Sequence, residues 1–239
     1  ELNPVSHPSA IERHPQLAAE RRHGAVSVDL HSHTMWSGDS TTTPDELVAS
    51  VEAAGLDVLC ITDHNALAGA LALRDALPCR VVVGEELRTP KGEVIGLFLT
   101  ERIPAGTGHI DAAEAIRDQG GLVYIPHPFD PMRRNLEETA LRDLADLGLI
   151  DAVEVLNSKT SLDGLNRKAF EFAEEHDLAA GAGSDAHVPD AIGAAYVEMD
   201  DFDGPAAFLA ALRSARVVGH HWDRPRRWTP RVIPSTTSS

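Results

Sequence analysis

Short apolar runs alternate with amphipathic segments along most of the chain. The runs are rich in valine, isoleucine and leucine and end at polar or glycine residues, a pattern typical of buried strands. They cover residues 26–30, 58–61, 81–83, 94–99, 122–125, 152–156, 179–182 and 195–199. Apolar residues at helical spacing lie between several of them, most clearly over residues 137–147, 166–176 and 205–213. This alternation predicts an α/β fold of parallel strands joined by helical crossovers.

The clearest helix start is Thr43-Pro44-Asp45-Glu46. Thr43 is a suitable N-cap, proline fits the first turn, and Glu46 stands three residues after the cap, where its side chain can bond back to it. Gly55 is a suitable residue to end the helix. We therefore predict a capped helix between Thr43 and Gly55.

Length and composition predict one domain with two terminal arms. The chain has 239 residues, 43% of them apolar, and a single α/β barrel commonly reaches about 200–250 residues. Residues 1–25 and 223–239 are rich in proline and arginine and lack apolar periodicity. We expect them to be arms that flank a domain over residues 26–222.

Charge, hydropathy and cysteine usage restrict the partners and the compartment. Acidic residues number 37 against 21 basic ones, and the net charge of −16 predicts that neither long duplex nucleic acid nor an anionic membrane is a partner. No apolar stretch approaches the roughly 18 residues of a membrane span. Cys60 and Cys79 are the two cysteines, so no disulfide framework is expected. These features together predict a cytoplasmic protein.

Residues of metal-ligand type follow one predicted strand after another. His31 and His33 would leave the same face of their strand, because side chains at i and i+2 do so. Later strands lead into four further groups: Asp63-His64, Glu85-Glu86, His127 and Asp185-Ala186-His187. Each group alone has a structural interpretation, such as a helix cap or a rigid turn. Together they predict a shared metal site, since the carboxyl ends of parallel barrel strands meet at one face.

Five segments, in this order, resemble the motifs of the PHP (polymerase and histidinol phosphatase) family. They are Asp29-Leu30-His31-Ser32-His33-Thr34, Ile61-Thr62-Asp63-His64-Asn65, Gly84-Glu85-Glu86, Ile125-Pro126-His127-Pro128-Phe129-Asp130 and Gly183-Ser184-Asp185-Ala186-His187. The resemblance covers about residues 26–220. It implies a single-domain, distorted (β/α)7 barrel that binds two or three divalent metal ions, Mn, Fe or Zn, at its strand ends. The implied ligands are His31, His33, Asp39, His64, Glu86, His127, Asp185 and His187.

Two positions depart from the family pattern. Many members have Ser-Asp-Gly after the paired histidines, whereas this chain has Ser37-Gly38-Asp39-Ser40, and we take Asp39 as the ligand. The family often has a histidine where this chain has Lys91-Gly92-Glu93-Val94. Glu93 would either replace that histidine as an oxygen ligand or leave one metal site weakened or lost.

Several further residues are candidates for supporting roles. Asp29 and Asp63 are expected to accept imidazole N–H groups and so orient the ligands. Asn157 ends a strand and would reach the same face as a substrate contact, or it is a turn residue. Arg133 and Arg134 would clamp a phosphate, or they are exposed loop charges. Lys159 and Arg167 are weaker candidates for that contact.

The resemblance implies a metal-dependent phosphoesterase acting on a small phosphorylated metabolite or nucleotide, such as a nucleoside bisphosphate or an oligonucleotide end. Metal-bound hydroxide would attack the phosphorus directly, and His187 or His64 would protonate the leaving oxygen beside Asp185. Two alternatives remain open: a metal-dependent hydrolase of a carboxylic ester, carbamate or amide, and a noncatalytic accessory module stabilised by metal.

Overall fold

Nine strands form one sheet in the part of the chain that the structure, a computed structural model, describes, residues 24–222. The strands are β1 (Ala25–Ser32), β2 (Val58–Ile61), β3 (Arg80–Thr89), β4 (Gly92–Leu97), β5 (Leu122–Ile125), β6 (Ala152–Asn157), β7 (Ala179–Gly183), β8 (Ala195–Asp200) and β9 (Arg216–Gly219). The predicted arms lie outside the described residues, except that Gly24 precedes β1 and Ala25 already belongs to it. The eight predicted strands are present, and β9 is an additional one.

Six α-helices accompany these strands within residues 24–222. They are α1 (Pro44–Ala54), α2 (Ala68–Leu73), α3 (His109–Asp118), α4 (Glu138–Asp146), α5 (Asp163–Glu175) and α6 (Gly204–Leu212). The predicted cap of α1 is confirmed, because Thr43 Oγ1 accepts a bond from Glu46 N at 3.4 Å and Glu46 Oε2 accepts one from Thr43 N at 3.0 Å. Gly55 ends this helix in the left-handed conformation, with φ 57°. None of the helices in this range is long and apolar enough to cross a bilayer.

The sheet is ordered β7-β6-β5-β4-β3-β2-β1-β8-β9 and curves into a nearly closed barrel. Its two sides meet where β1 approaches the chain that follows β7. There Asp185 N donates to His31 O at 2.7 Å, and His33 N donates to Ala186 O at 3.0 Å. The predicted distorted barrel is therefore confirmed, with β8 and β9 extending the sheet beyond β1.

The prediction of parallel strands is wrong at β4 and β8, and the additional β9 is also antiparallel to its neighbour. Strands β1 to β3 are parallel, as are β5 to β7, but β4 is antiparallel to both of its neighbours. Only Pro90 and Lys91 separate β3 from β4, and two residues make a hairpin turn but not a crossover. The start of β4 consequently lies at the barrel end where the parallel strands finish.

Apolar residues cover both faces of the strands. In β2, Leu59 and Ile61 belong to a cluster shared with helical residues such as Leu47 and Leu141. The intervening Cys60 belongs to a second cluster that includes Tyr124 of β5. Burial on both faces holds the strand ends rigidly, which is the condition for placing ligands accurately.

Candidate metal centre

His31, near the end of β1, and His33, just after it, point their ring nitrogens at each other. His31 Nε2 lies 3.1 Å from His33 Nε2, and both rings are fully buried. A β-bulge between Asp29 and Ser32 changes the register of β1 just before this pair. Two buried imidazole nitrogens at this separation form a natural pair of ligands for one cation.

Glu86 of β3 lies at the centre of the histidine cluster. Its Oε2 is 3.3 Å from His31 Nε2, 3.2 Å from His33 Nε2 and 3.1 Å from His64 Nδ1. Its Oε1 is 3.2 Å from His127 Nε2. Glu86 thus contacts four of the predicted ligand histidines and is able to bridge two cations.

Asp185 and His187 enter the cluster from the end of β7. Asp185 Oδ1 lies 3.5 Å from His33 Nε2 and 3.3 Å from His187 Nδ1. Asp185 and His127 both have positive φ, 48° and 30°, which L-residues rarely adopt. Strained backbone of this kind is commonly found at functional sites, where it directs a side chain that relaxed geometry would turn away.

Asp39 and Glu93 complete the cluster from its outer side. Asp39 Oδ2 lies 3.2 Å from His64 Nε2, and Asp39 Oδ1 lies 3.5 Å from His187 Nε2. Glu93, at the start of the antiparallel β4, places its carboxylate oxygens 3.7 Å from His64 Nδ1 and 3.8 Å from His127 Nε2. The reversed direction of β4 is what brings Glu93 to this end of the barrel.

All eight predicted ligands and Glu93 therefore fall into overlapping groups whose candidate ligand atoms lie within 4.8 Å of one another. The groups are His33, Asp39, His64 and His187; His31, His33 and Glu86; His31, His127 and Asp185; and His64, Glu86 and Glu93. Ligand atoms bound about 2.0–2.2 Å from one ion stand roughly 3.0–3.5 Å apart, which matches several of these distances. His64 Nδ1 is buried and lies near Glu86, yet makes no hydrogen bond. The donor set fits divalent cations.

The electrostatics of the cluster favour added positive charge. Burial lowers the pKa of His31, but Glu86, Glu154 and Asp185 together raise it well above its ordinary value. Burial raises the pKa of Glu86, but His31 and His64 hold it well below its usual range. The carboxylates therefore retain a proton on His31, and a divalent cation would replace that proton.

Glu154 of β6 is an orienting residue that sequence reasoning missed. Its Oε1 lies 3.1 Å from His31 Nδ1, and its Oε2 accepts bonds from His127 N and Asn157 Nδ2, each at 2.8 Å. This carboxylate holds a proton on His31 Nδ1, which turns the Nε2 lone pair toward the cluster. A buried acidic residue between Val153 and Val155 was the available signal.

Asp29 and Asp63 support the site differently from the prediction, because neither accepts an imidazole proton. Asp29 accepts backbone N–H bonds from His31, Ser184 and Gly193 at 3.2, 2.9 and 3.1 Å. Asp63 accepts both the backbone N–H and the hydroxyl of Thr34, each at 2.6 Å. Asp29 precedes His31 by two residues and Asp63 precedes His64 by one, so each carboxylate fixes the backbone close to a predicted ligand.

A cavity of about 190 Å³ opens above the cluster. Its walls combine predicted ligands with cationic side chains, and the cations are Arg88, Arg133, Arg134 and Lys159. Arg88 is paired with two carboxylates, because it donates hydrogen bonds to Asp39 and Glu93 at 3.2 Å each. Arg133 and Arg134 line the cavity, and their role as a phosphate clamp stays a prediction. Asn157 is buried outside the cavity lining, donates to Glu154 and accepts a bond from Lys159 N at 2.9 Å.

Solved structures share this architecture. A two-domain protein from Bacteroides vulgatus, described as containing a predicted PHP-like metal-dependent phosphoesterase, has a TM-score of 0.67 at 18% identity, over 84% of this chain and 67% of that one. Endonuclease Q, in complex with a 27-mer duplex substrate that has an abasic lesion at the active site, has a TM-score of 0.64 at 15% identity. That match covers 82% of this chain and 60% of endonuclease Q. At these identities the likeness shows the fold alone.

The endonuclease Q complex overturns one sequence-based prediction. Net charge had predicted that long duplex nucleic acid is not a partner, and this prediction is wrong, because the same fold holds a 27-mer duplex in endonuclease Q. Net charge sums the whole chain, whereas a polyanion meets the local surface. Here the cavity walls carry four cationic side chains despite the acidic total.

Sequence relatives identify the family. Uncharacterized protein MJ0417 of Methanocaldococcus jannaschii is 39% identical over 197 residues, which is 79% of this chain and 79% of that protein. The PHP domain family matches residues 29–120, and the PHP-associated family matches residues 164–217. These ranges contain the first three of the five motifs and the last one. The chain belongs to the PHP family, a family of metal-dependent hydrolases.

Proposed function

We propose that this protein is a metal-dependent phosphoesterase. The observation that carries the proposal is the position of a buried histidine and carboxylate cluster at the floor of a cavity with cationic walls. Such a cluster would bind divalent cations, and the arginines above it would bind oxyanions. Both suit a phosphate ester, whose negatively charged oxygens bind metal ions and guanidinium groups.

The metal-binding residues in this proposal are those that the structure brings together. They are His31, His33, Asp39, His64, Glu86, His127, Asp185 and His187, with Glu93 as an additional oxygen ligand. The mixed imidazole and carboxylate set suits Mn, Fe or Zn, in two or three sites. When bound, divalent cations there would supply Lewis acidity, which makes a water more acidic and offsets charge on phosphoryl oxygens.

The other residues of the cavity would bind and orient the substrate. Arg133 and Arg134 would bind nonbridging phosphate oxygens, because a guanidinium presents paired donors that match an oxyanion. Arg88 keeps Asp39 and Glu93 in place through its two ion pairs. His64 and His187 both face the cavity, and either would hold a proton at Nε2 for the leaving oxygen.

The proposed substrate is a small phosphorylated metabolite or a nucleotide, including the end of an oligonucleotide. A cavity of about 190 Å³ accommodates a phosphoryl group and the atoms next to it, while the rest of the substrate extends beyond the rim. Carboxylic esters and amides use the same Lewis acidity, so they form the second candidate class.

The test is phosphate release from a panel of phosphate esters with added Mn²⁺. The panel includes nucleoside bisphosphates, 5′-phosphorylated oligonucleotides and duplex DNA with an abasic lesion, with aryl esters as a separate arm. His31→Ala and Asp185→Ala should abolish turnover, whereas His109→Ala and Asp177→Ala, on surface elements, should retain it. Turnover of aryl esters alone would favour the carboxylic ester alternative. If Mn²⁺ stabilises the fold but no substrate is turned over, the noncatalytic accessory module is favoured.

We further propose a cytoplasmic location. Cys60 and Cys79 are both free thiols, and Cys60 is buried in the core. Unpaired thiols are typical of a reducing compartment, which supports this location.

A further inference from the structure

Lys159 places a buried ammonium group inside the candidate metal centre. Its side chain is only 8% exposed, and its Nζ lies 3.0 Å from Asp185 Oδ1 and also contacts His187 Nδ1. The residue follows β6, where its backbone N–H donates to Asn157 Oδ1 at 2.9 Å. Lys159 therefore contacts two residues that the proposed function assigns to metal binding.

The contact with His187 brings the ammonium to a second residue of the proposed metal-binding set. An ammonium group has only donors, so in this contact His187 Nδ1 is the acceptor. The same nitrogen also lies 2.9 Å from the carbonyl oxygen of Asp185. Lys159 Nζ thus stands beside Nδ1, while Nε2 faces Asp39 Oδ1 at 3.5 Å. A cation at the Nδ1 side of His187 would therefore have to displace the ammonium.

The charges around Asp185 also oppose cation binding while Lys159 is in place. Lys159 Nζ faces one oxygen of this carboxylate, and Arg133 Nε lies 3.9 Å from the other. A divalent cation that binds Asp185 would stand within a few ångströms of the ammonium and repel it strongly in this buried setting. The nearest open volume is the cavity that Lys159 already lines together with Arg133 and Arg134.

We infer that Lys159 is an exchangeable counter-charge, which occupies the Asp185 and His187 corner until a divalent cation displaces it into the cavity, where it binds an oxyanion. The same side chain thereby opposes cation binding and supports anion binding. This inference rests on the proposed function for the identity of the cluster, but it concerns the order in which charges occupy it.

The test measures binding and not turnover. Metal-stripped wild type, Lys159→Met and Lys159→Gln are titrated with Mn²⁺ by isothermal calorimetry, and the Mn²⁺-loaded proteins are then titrated with inorganic phosphate. Removing the ammonium should tighten Mn²⁺ binding at one site by at least about fivefold and weaken phosphate binding by at least about fivefold, in the range of couplings between linked sites. Lys91→Met is the matched control, because Lys91 pairs with Glu137 on the surface.

Two results would overturn the inference. One is Mn²⁺ affinity in both Lys159 variants that equals or falls below that of wild type. The other is unchanged phosphate affinity in variants whose circular dichroism and Tm show a folded protein. Failure of the proposed function looks different, because it appears as absent phosphate release by wild type in the substrate panel and not as a change in these binding constants. Lys159→Gln serves if the methionine variant does not fold.

Discussion

Replacing Glu154 with glutamine tests whether this carboxylate sets the direction of His31. Glu154 faces three donors: His31 Nδ1 at 3.1 Å, His127 N at 2.8 Å and Asn157 Nδ2 at 2.8 Å. Glutamine offers one acceptor oxygen and one NH₂ group, so it cannot accept from both sides. If its oxygen keeps the bonds from His127 and Asn157, the NH₂ group faces His31 Nδ1 and forces the ring proton onto Nε2, the atom directed at Glu86 and His33.

The expected magnitude follows from this swap of donor and acceptor. Loss of an orienting partner typically weakens metal binding by about 10–100-fold, which corresponds to about 1.4–2.8 kcal/mol. Calorimetric titration of the metal-stripped Glu154→Gln protein with Mn²⁺ measures it directly.

A matched control separates orientation from general damage to the fold. Glu198 is also buried, and it accepts bonds from Arg216 at 2.6 and 3.2 Å on β8 and β9, outside the metal cluster. Glu198→Gln should lower Tm without changing Mn²⁺ affinity. A folded Glu154→Gln protein that binds Mn²⁺ within twofold of wild type would refute the reasoning.

Three further predictions follow from local geometry. Thr43→Ala removes the α1 cap and should lower the free energy of unfolding by about 0.5–2 kcal/mol in urea titrations; no change would contradict the cap. A Cβ at Gly183 would overlap His31. Gly183→Ala should therefore lower the free energy of unfolding by about 1–3 kcal/mol and weaken Mn²⁺ binding. Gly164→Ala should do neither, because Gly164 has open space around it. Burial raises the pKa of Cys79 to about 11, so its alkylation rate should rise about tenfold per pH unit from pH 8 to 10; a plateau near pH 9 would contradict that burial.

The positions of the strand ends were predictable from sequence because each apolar run stops at a polar residue of ligand type. That regularity is enough to predict the convergence of His31, Glu86, His127 and Asp185, and the geometry bears out their meeting. The α1 helix was equally legible, since a capping box is a local signal.

Other features depended on information that is not local. The direction of β4 is set by a two-residue turn, and an apolar run reads the same in either direction, so the approach of Glu93 was left open. At Glu154 the sequence pattern predicted only a strand. A charged residue between two valines of a buried strand nevertheless indicates that its carboxylate is buried with a polar partner. The roles of Asp29 and Asp63 also differed, because residue spacing does not reveal which way a carboxylate turns.

The junction between β1 and the chain after β7 has a consequence for how this molecule assembles. The backbone atoms that join the two sides of the sheet belong to His31, His33, Asp185 and Ala186, three of which are proposed metal ligands. The same few peptide units therefore close the barrel and position the proposed metal ligands. A half-formed barrel would therefore lack a complete set of these ligands, and a molecule that separates this junction would disperse the proposed metal centre together with the sheet.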